Sequence, residues 1–275
     1  MKLLFGTAGT PISAMARDST SGISRVRELG LDCMELEFVR GVRMGAVKAA
    51  EVRKEGARQD VHLSVHAPYY LNLNSREEDK ITASVERIYQ SARIGSLAGA
   101  RSVVFHPAYY HKNPAVDVYR RVKKELELLS EKLALEGIKT TLRPETTGKK
   151  SQFGTLGEVM RLSSELDGVK PCIDFAHLHA RKGRDNTYEE FTAIFGRVED
   201  ALGNEGLKDM HLHVSGIEYG GKGEIRHLVL AESDFNYQAM LRALRDYNVK
   251  GALICESPNL EIDALKMREY YQLGG

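Results

Sequence analysis

Apolar and polar residues alternate in short runs along this chain. Between the runs lie stretches with the three-to-four-residue period of a helix. Val61, Leu63 and Val65 oppose His62, Ser64 and His66, and Met210, Leu212 and Val214 oppose His211 and His213. A period of two is the mark of a strand. The pattern predicts strands over 3–7, 33–37, 61–66, 102–106, 140–145, 169–174, 209–215 and 252–256. Helical spacing is plainest at Ile81, Val85, Ile88 and Ala92, and at Val118, Val122, Leu126, Leu129 and Leu133. Weaker helices fit near 20–29, 44–57, 155–166, 187–203, 235–247 and 261–272. Eight strands, each followed by a helix, is the count of a (β/α)8 TIM barrel. A doubly wound sheet meets the same count, but its strands are covered on both sides and tend to be apolar on both faces. These strands keep one polar face, as strands around a lumen with a working mouth do. The expectation is an α/β fold, a single TIM-barrel domain over residues 1–275.

Composition narrows the function. A chain of 275 residues, 42% hydrophobic and 28% charged, carries enough apolar material for one large core. That excludes a disordered tail or linker. No apolar stretch has the length of a signal peptide or a membrane span, so a cytoplasmic protein without a membrane partner is expected. Cys33, Cys172 and Cys255 are too scattered for a disulfide framework and form no C-x-x-C knuckle; they read as small buried strand residues. With 39 basic against 38 acidic residues, the net charge of +1 excludes a polycation that adheres to nucleic acid unaided.

The strands end on chemistry. LSVH closes at His66, VVFH at His106, TLRPE at Glu145, PCID at Asp174, MHLH at His211 and His213, and LICE at Glu256. Successive ends are 40, 39, 29, 37 and 45 residues apart (66, 106, 145, 174, 211, 256), about one βα unit each. In a barrel these groups meet at the carboxyl end of the strands, where barrel active sites are built. Imidazoles and carboxylates packed into a partly dry mouth need a partner, and divalent cations supply one. Zinc and manganese suit these donors. His177 follows Asp174 by three residues and is placed at the start of a loop. Arg226-His227 lies in a long Gly-containing loop, 216–234, of the kind that carries function. His62 is expected one layer down, His111 in a loop without a motif, and His179 and His213 as supporting groups or alternative ligands.

At these residues the chain resembles the endonuclease IV family of apurinic/apyrimidinic-site DNA endonucleases. The matching segments are HAPYYLNL (66–73), VVFHP (103–107), ETTGKKSQFGT (145–155), CIDFAH (172–177), MHLH (210–213), RH (226–227) and ESP (256–258). The resemblance implies a barrel with two or three zinc ions, with manganese an alternative at the third site. It implies that His66 and His106 hold one zinc, that Glu145 bridges to a second completed by Asp174, His211 and Glu256, and that His177 and His227 hold the third. One position departs from the family pattern. Ile225 stands where the family has an aspartate immediately before Arg-His, and Glu224, one residue earlier, is the nearest carboxylate. The implied reaction is hydrolysis of the phosphodiester on the 5′ side of an abasic nucleotide, with Glu145 as bridge and orienter and no side-chain nucleophile. The chain has no serine or cysteine protease motif, P-loop or dinucleotide fingerprint.

The implied partner is duplex DNA containing abasic sites, acted on by a monomer. The loops after the strands carry eleven basic residues (Arg17, Arg40, Arg43, Lys112, Lys149, Lys150, Arg181, Lys182, Arg184, Lys222 and Arg226) against six acidic ones, so that face is positive. By resemblance Tyr69 and Arg40 intrude into the duplex, and Lys149, Lys150 and Arg226 from the basic face, with Gln152, are the further candidates for DNA contact. Tyr70, Tyr109 and Tyr110 read equally as rim packing, and Ser151–Gly154 as a helix-start phosphate loop. Two other readings fit the residues. A sugar isomerase or epimerase on the same barrel needs only Glu145, Asp174, His211 and Glu256 around one metal. A non-catalytic binder of damaged DNA is motivated by Ile225.

Overall fold

The computed structural model describes residues 2–274. Eight parallel strands form the centre: β1 (Leu3–Ala8), β2 (Cys33–Glu37), β3 (His62–His66), β4 (Ser102–Phe105), β5 (Thr141–Pro144), β6 (Cys172–Asp174), β7 (Met210–Val214) and β8 (Gly251–Cys255). Their order around the sheet is β5-β4-β3-β2-β1-β8-β7-β6. Isolated parallel bridges, Leu142 to Val169 and Glu145 to Cys172, join β5 to β6 and close the ring. The sixth strand is shorter than its apolar run predicts. Pro171 brings no N–H to the ladder, and pairing resumes only at Cys172.

Helices α1 (Ser19–Glu28), α2 (Ala46–Gln59), α3 (Glu78–Leu97), α4 (Ala115–Leu135), α5 (Leu156–Glu165), α6 (Phe175–Lys182), α7 (Tyr188–Lys208), α8 (Tyr237–Asp246) and α9 (Glu261–Leu273) surround the barrel. In α4 the predicted stripe, Val118, Val122, Leu126, Leu129 and Leu133, is the buried face. It packs into the same apolar layer as the outward strand residues Leu63, Val65, Val103 and Leu142. Burying five such side chains contributes roughly 1.5–3 kcal/mol each before entropy, so α4 is held by packing more than by propensity.

The inward faces are polar, as the alternation predicts. Glu35, Ser64, His66, Arg143, Glu145, Asp174, His211 and His213 are all buried. A small apolar plug of Cys33, Ala252 and Ile254 shares the lumen.

Three segments differ from expectation. α6 occupies the stretch read as a loop, because residues 175–181 are buried all round and leave no amphipathic period. Asp174 starts this helix, its Oδ1 accepting from the His177 N–H at 2.7 Å. α7 runs on to Lys208 across a kink at Gly203. Residues 216–234 form a hairpin, Gly216–Gly220 against Gly223–Leu228, and a short 3-10 turn.

Candidate metal centre

The strand ends converge at the mouth. The Glu145 carboxylate, 1% exposed, lies at the middle: Oε2 is 3.0 Å from His106 Nε2 and 3.3 Å from His66 Nε2. Its Oε1 is 3.2 Å from His177 Nδ1 and 3.5 Å from His213 Nδ1. His213 Nδ1 is also 3.3 Å from Glu256 Oε1. Three groups of donor atoms result: His66, His106 and Glu145; Glu145, Asp174, His213 and Glu256; and Asp174, His177 and His227.

The donors fit divalent cations. Glu145 Oε1, Asp174 Oδ2 and His213 Nδ1 are buried with no hydrogen-bond partner. Two ligand atoms bound to one tetrahedral zinc stand about 3.3 Å apart, close to the separations above. Buried orphans of this kind cost about 1–3 kcal/mol each if nothing else meets them. Ligand orientation is also provided for. His66 Nδ1 is 2.7 Å from the Ala67 carbonyl and His177 Nδ1 is 3.0 Å from the Thr146 carbonyl, which turns the His66 Nε2 toward Glu145 and the His177 Nε2 toward Glu224 and His227.

Charge is frustrated in this mouth. Burial pushes Asp174 well above the carboxylate range. Burial alone lowers an imidazole, yet Asp174 and Glu145 hold His177 well above its ordinary value. His66 behaves alike: burial pulls it down, but Glu145 and Glu37 win and raise it to about 9. At Glu256 burial pushes up, and His213 nevertheless holds the group down at about 2. Divalent ions would replace these mutual proton pairings with one strong interaction.

The sequence assignment of the seventh strand moves. His211 is not brought to the mouth; it pairs with Glu35, Nε2 to Oε2 at 2.9 Å, in the layer beneath. His213 stands in the predicted place. Two residues along a strand are about 7 Å, and β7 runs on to Val214, so the higher histidine is level with the other strand ends. His62 lies low, as expected, beside a basin at the amino end of the strands. Sequence reasoning missed Glu35 and Glu37. Their signal was present, since Cys33, Glu35 and Glu37 share one face of a two-residue period.

The departure at Ile225 is absorbed by a bulge. In the hairpin, Arg226 pairs with Glu218 and Glu224 with Tyr219, so Ile225 is skipped. The skipped residue is exposed, while Glu224 turns inward with Oε2 3.6 Å from His177 Nε2. His227 Nε2 lies 3.4 Å from the same nitrogen. Glu224 therefore brings a carboxylate to the side of His177 that faces His227.

A cavity of about 300 Å³ opens over this centre, lined by Tyr69, Tyr109, Lys149, Gln152, Glu224 and the histidines beneath. Tyr69 is half exposed, its ring centroid 4.8 Å from that of His66. Arg40 and Lys149 are exposed, without a carboxylate partner among the described residues, and Lys150 reaches the Gly221 carbonyl. Arg226 is turned away, its Nε 2.6 Å from Glu218 Oε2. Gln152 is buried with its side-chain oxygen unpartnered. Arg181 is an internal brace, donating to the carbonyls of Thr147, Lys149 and Gln152. The amides at 154 and 155 are taken by Glu158, which closes a capping box with Thr155. They are not free for a phosphate.

A closed parallel barrel with donors gathered at its carboxyl rim defines the class, and the match to the xylose isomerase-like TIM barrel family over residues 23–271 places the chain in that family. An uncharacterized protein of Methanocaldococcus jannaschii is 46% identical over 98% of this chain and 97% of its own. A probable endonuclease 4 of Aquifex aeolicus is a distant relative, 26% identical over 66% of this chain and 65% of its own. Among solved structures, endonuclease IV from Thermus thermophilus superposes with a TM-score of 0.74 at 18% identity, covering 98% of each chain. A D-tagatose 3-epimerase-like protein does so at 0.72 and 20%, covering 100% of this chain and 98% of that one. At these identities the two superpositions speak for the fold.

Proposed function

We propose that the protein is a metal-dependent DNA-repair endonuclease that hydrolyses the phosphodiester on the 5′ side of abasic sites in duplex DNA. The observation that carries this reading is the surplus of donors. A sugar isomerase needs one tetrad, whereas the mouth adds the His66–His106–Glu145 group and the Asp174–His177–His227 group. Two or three zinc ions are the proposed cofactors, with manganese an alternative beside His177, His227 and Glu224. The ligands are His66, His106, Glu145, Asp174, His177, His213, His227 and Glu256. Bound ions supply Lewis acidity to an attacking water and to the phosphate oxygens.

The chain's own residues supply the rest. Glu145 spans two donor groups and fixes their spacing, kept ionised against the cost of burial by His106 and His213. Arg40, Lys149 and Lys150 offer positive charge to the DNA backbone. Tyr69, whose ring lies beside those of His66 and His106, is proposed to stack where an extruded nucleotide leaves the duplex. The enzyme is proposed to act as a cytoplasmic monomer; no described helix is long and apolar enough to cross a membrane.

A second reading, a sugar isomerase or epimerase, is favoured by the compact tetrad of Glu145, Asp174, His213 and Glu256. Incision of a duplex with one central abasic site by zinc- or manganese-loaded protein, run beside a ketose panel, separates the two. A 5′ cut lost in Glu145→Gln supports the endonuclease. Ketose turnover without a cut overturns it, and tight binding to the abasic duplex without a cut points to a binder.

A further inference from the structure

Beneath the mouth lies a second donor set, of which the proposed function uses only His213. Cys172 and His211 face each other across β6 and β7, where they are register partners. Potential ligand atoms of Cys172, His211 and His213 all lie within 4.8 Å of one another. Glu35 reaches in from β2, its Oε1 3.0 Å from His213 Nε2. All four side chains are buried.

We propose that Cys172, His211 and His213, with Glu35 against both histidines, form a deep site for a divalent transition-metal ion that shares His213 with the mouth. Hydrogen bonding alone leaves this layer unfinished. His213 Nε2 and Glu35 Oε1 are close, yet both lack a hydrogen-bond partner, and so does His213 Nδ1. A buried imidazole whose nitrogens stand 3.0 Å from Glu35 Oε1 and 3.3 Å from Glu256 Oε1 without hydrogen-bond geometry leaves its donor and its acceptor poorly satisfied. Cations on both sides of the ring resolve this: Nδ1 faces the mouth cluster, and Nε2 faces the deep set. Glu35 is held for the role, since its other oxygen accepts from Ser64 Oγ at 2.6 Å and stands 2.9 Å from His211 Nε2.

The donors also select the ion. Thiolate, imidazole and carboxylate together suit zinc or ferrous iron in four-coordination, and the sulfur excludes magnesium and calcium. Binding displaces the Cys172 thiol proton, and the remaining ring proton of His213 when both sides are filled, to solvent. The resulting negative charges offset the cation, as a fully buried site requires. No sulfur lies among the mouth donors, so the deep ion has its own signature.

The test is anaerobic cobalt(II) titration of metal-free protein, read by absorption without DNA, so that failure of the proposed endonuclease activity leaves it unaffected. The wild-type protein should develop a near-ultraviolet thiolate-to-cobalt charge-transfer band. Cys172→Ser should lose that band together with one bound cobalt, whereas Cys33→Ser and Cys255→Ser should retain both. A wild-type spectrum without the band at any cobalt loading overturns the site, and so does a band that survives Cys172→Ser. Should Cys172→Ser fail to fold, retention of the wild-type band in the other two variants still assigns it to Cys172.

Discussion

Replacing Gly223 by alanine tests how the hairpin delivers Glu224 and His227. Gly223 sits at φ +100°, and a Cβ there would lie 2.1 Å from the Gly148 carbonyl oxygen. Van der Waals contact needs roughly a further ångström, and the opposing atom is backbone, so the strand itself must move. A non-glycine residue at this φ costs about 1–3 kcal/mol. The shift also strains the Glu224 N–H bond to Gly148 O, 3.1 Å long, and the bridge between Lys149 and Gly223; each such bond contributes about 0.5–1.5 kcal/mol. Together these amount to roughly 2–6 kcal/mol, enough to detach one hairpin edge without unfolding a barrel. Gly221→Ala is the control, because a Cβ there meets nothing within 4 Å. Metal content measured by elemental analysis, with thermal unfolding alongside, should show the Gly223 variant short of the ion proposed at His177 and His227. Equal metal content in the two variants would refute the reasoning.

Other outcomes follow from single residues. His213→Gln should lower metal affinity at the mouth by tenfold or more, because it removes a donor from the tetrad; equilibrium competition with a zinc chelator measures it, and wild-type affinity would remove His213 from the centre. Tyr69→Ala should weaken binding to an abasic duplex several-fold with metal content unchanged, as read by fluorescence anisotropy; unchanged binding would leave Tyr69 as rim packing. His62 is held down at about 4 by burial. Its contribution is therefore fully present above its unfolded value near 6.5 and is lost as pH falls toward 4. That difference is worth roughly 3 kcal/mol. Denaturant unfolding between pH 7 and 4 should be flatter in His62→Asn than in the wild-type protein, and equal slopes would discard this account of His62.

The barrel is legible because its two periodicities survive in most repeats, α6 being an exception, and its strand ends carry the polar chemistry. His66, His106, Glu145, Asp174 and Glu256 all sit at a strand end or one residue beyond it, so position along the strand locates them. His211 and His213 defeat that rule. Both point into the lumen, and only the stagger of β7 against its neighbours decides which is level with the mouth. Glu35 and Glu37 were concealed because a strand of alternating acids reads as half-exposed, whereas these face inward; burial pushes Glu37 up to about 8. The Glu224 placement depends on a bulge at Ile225, a local register shift with no separate mark in the sequence.

The most direct test is an anomalous-scattering map of zinc-loaded crystals, which counts the ions at the mouth and names their ligands. The account predicts an ion on His66, His106 and Glu145 as well as one on Glu145, Asp174, His213 and Glu256, with His211 outside both. A single ion on the tetrad, with His66 and His106 unliganded, would contradict it and favour the sugar enzyme.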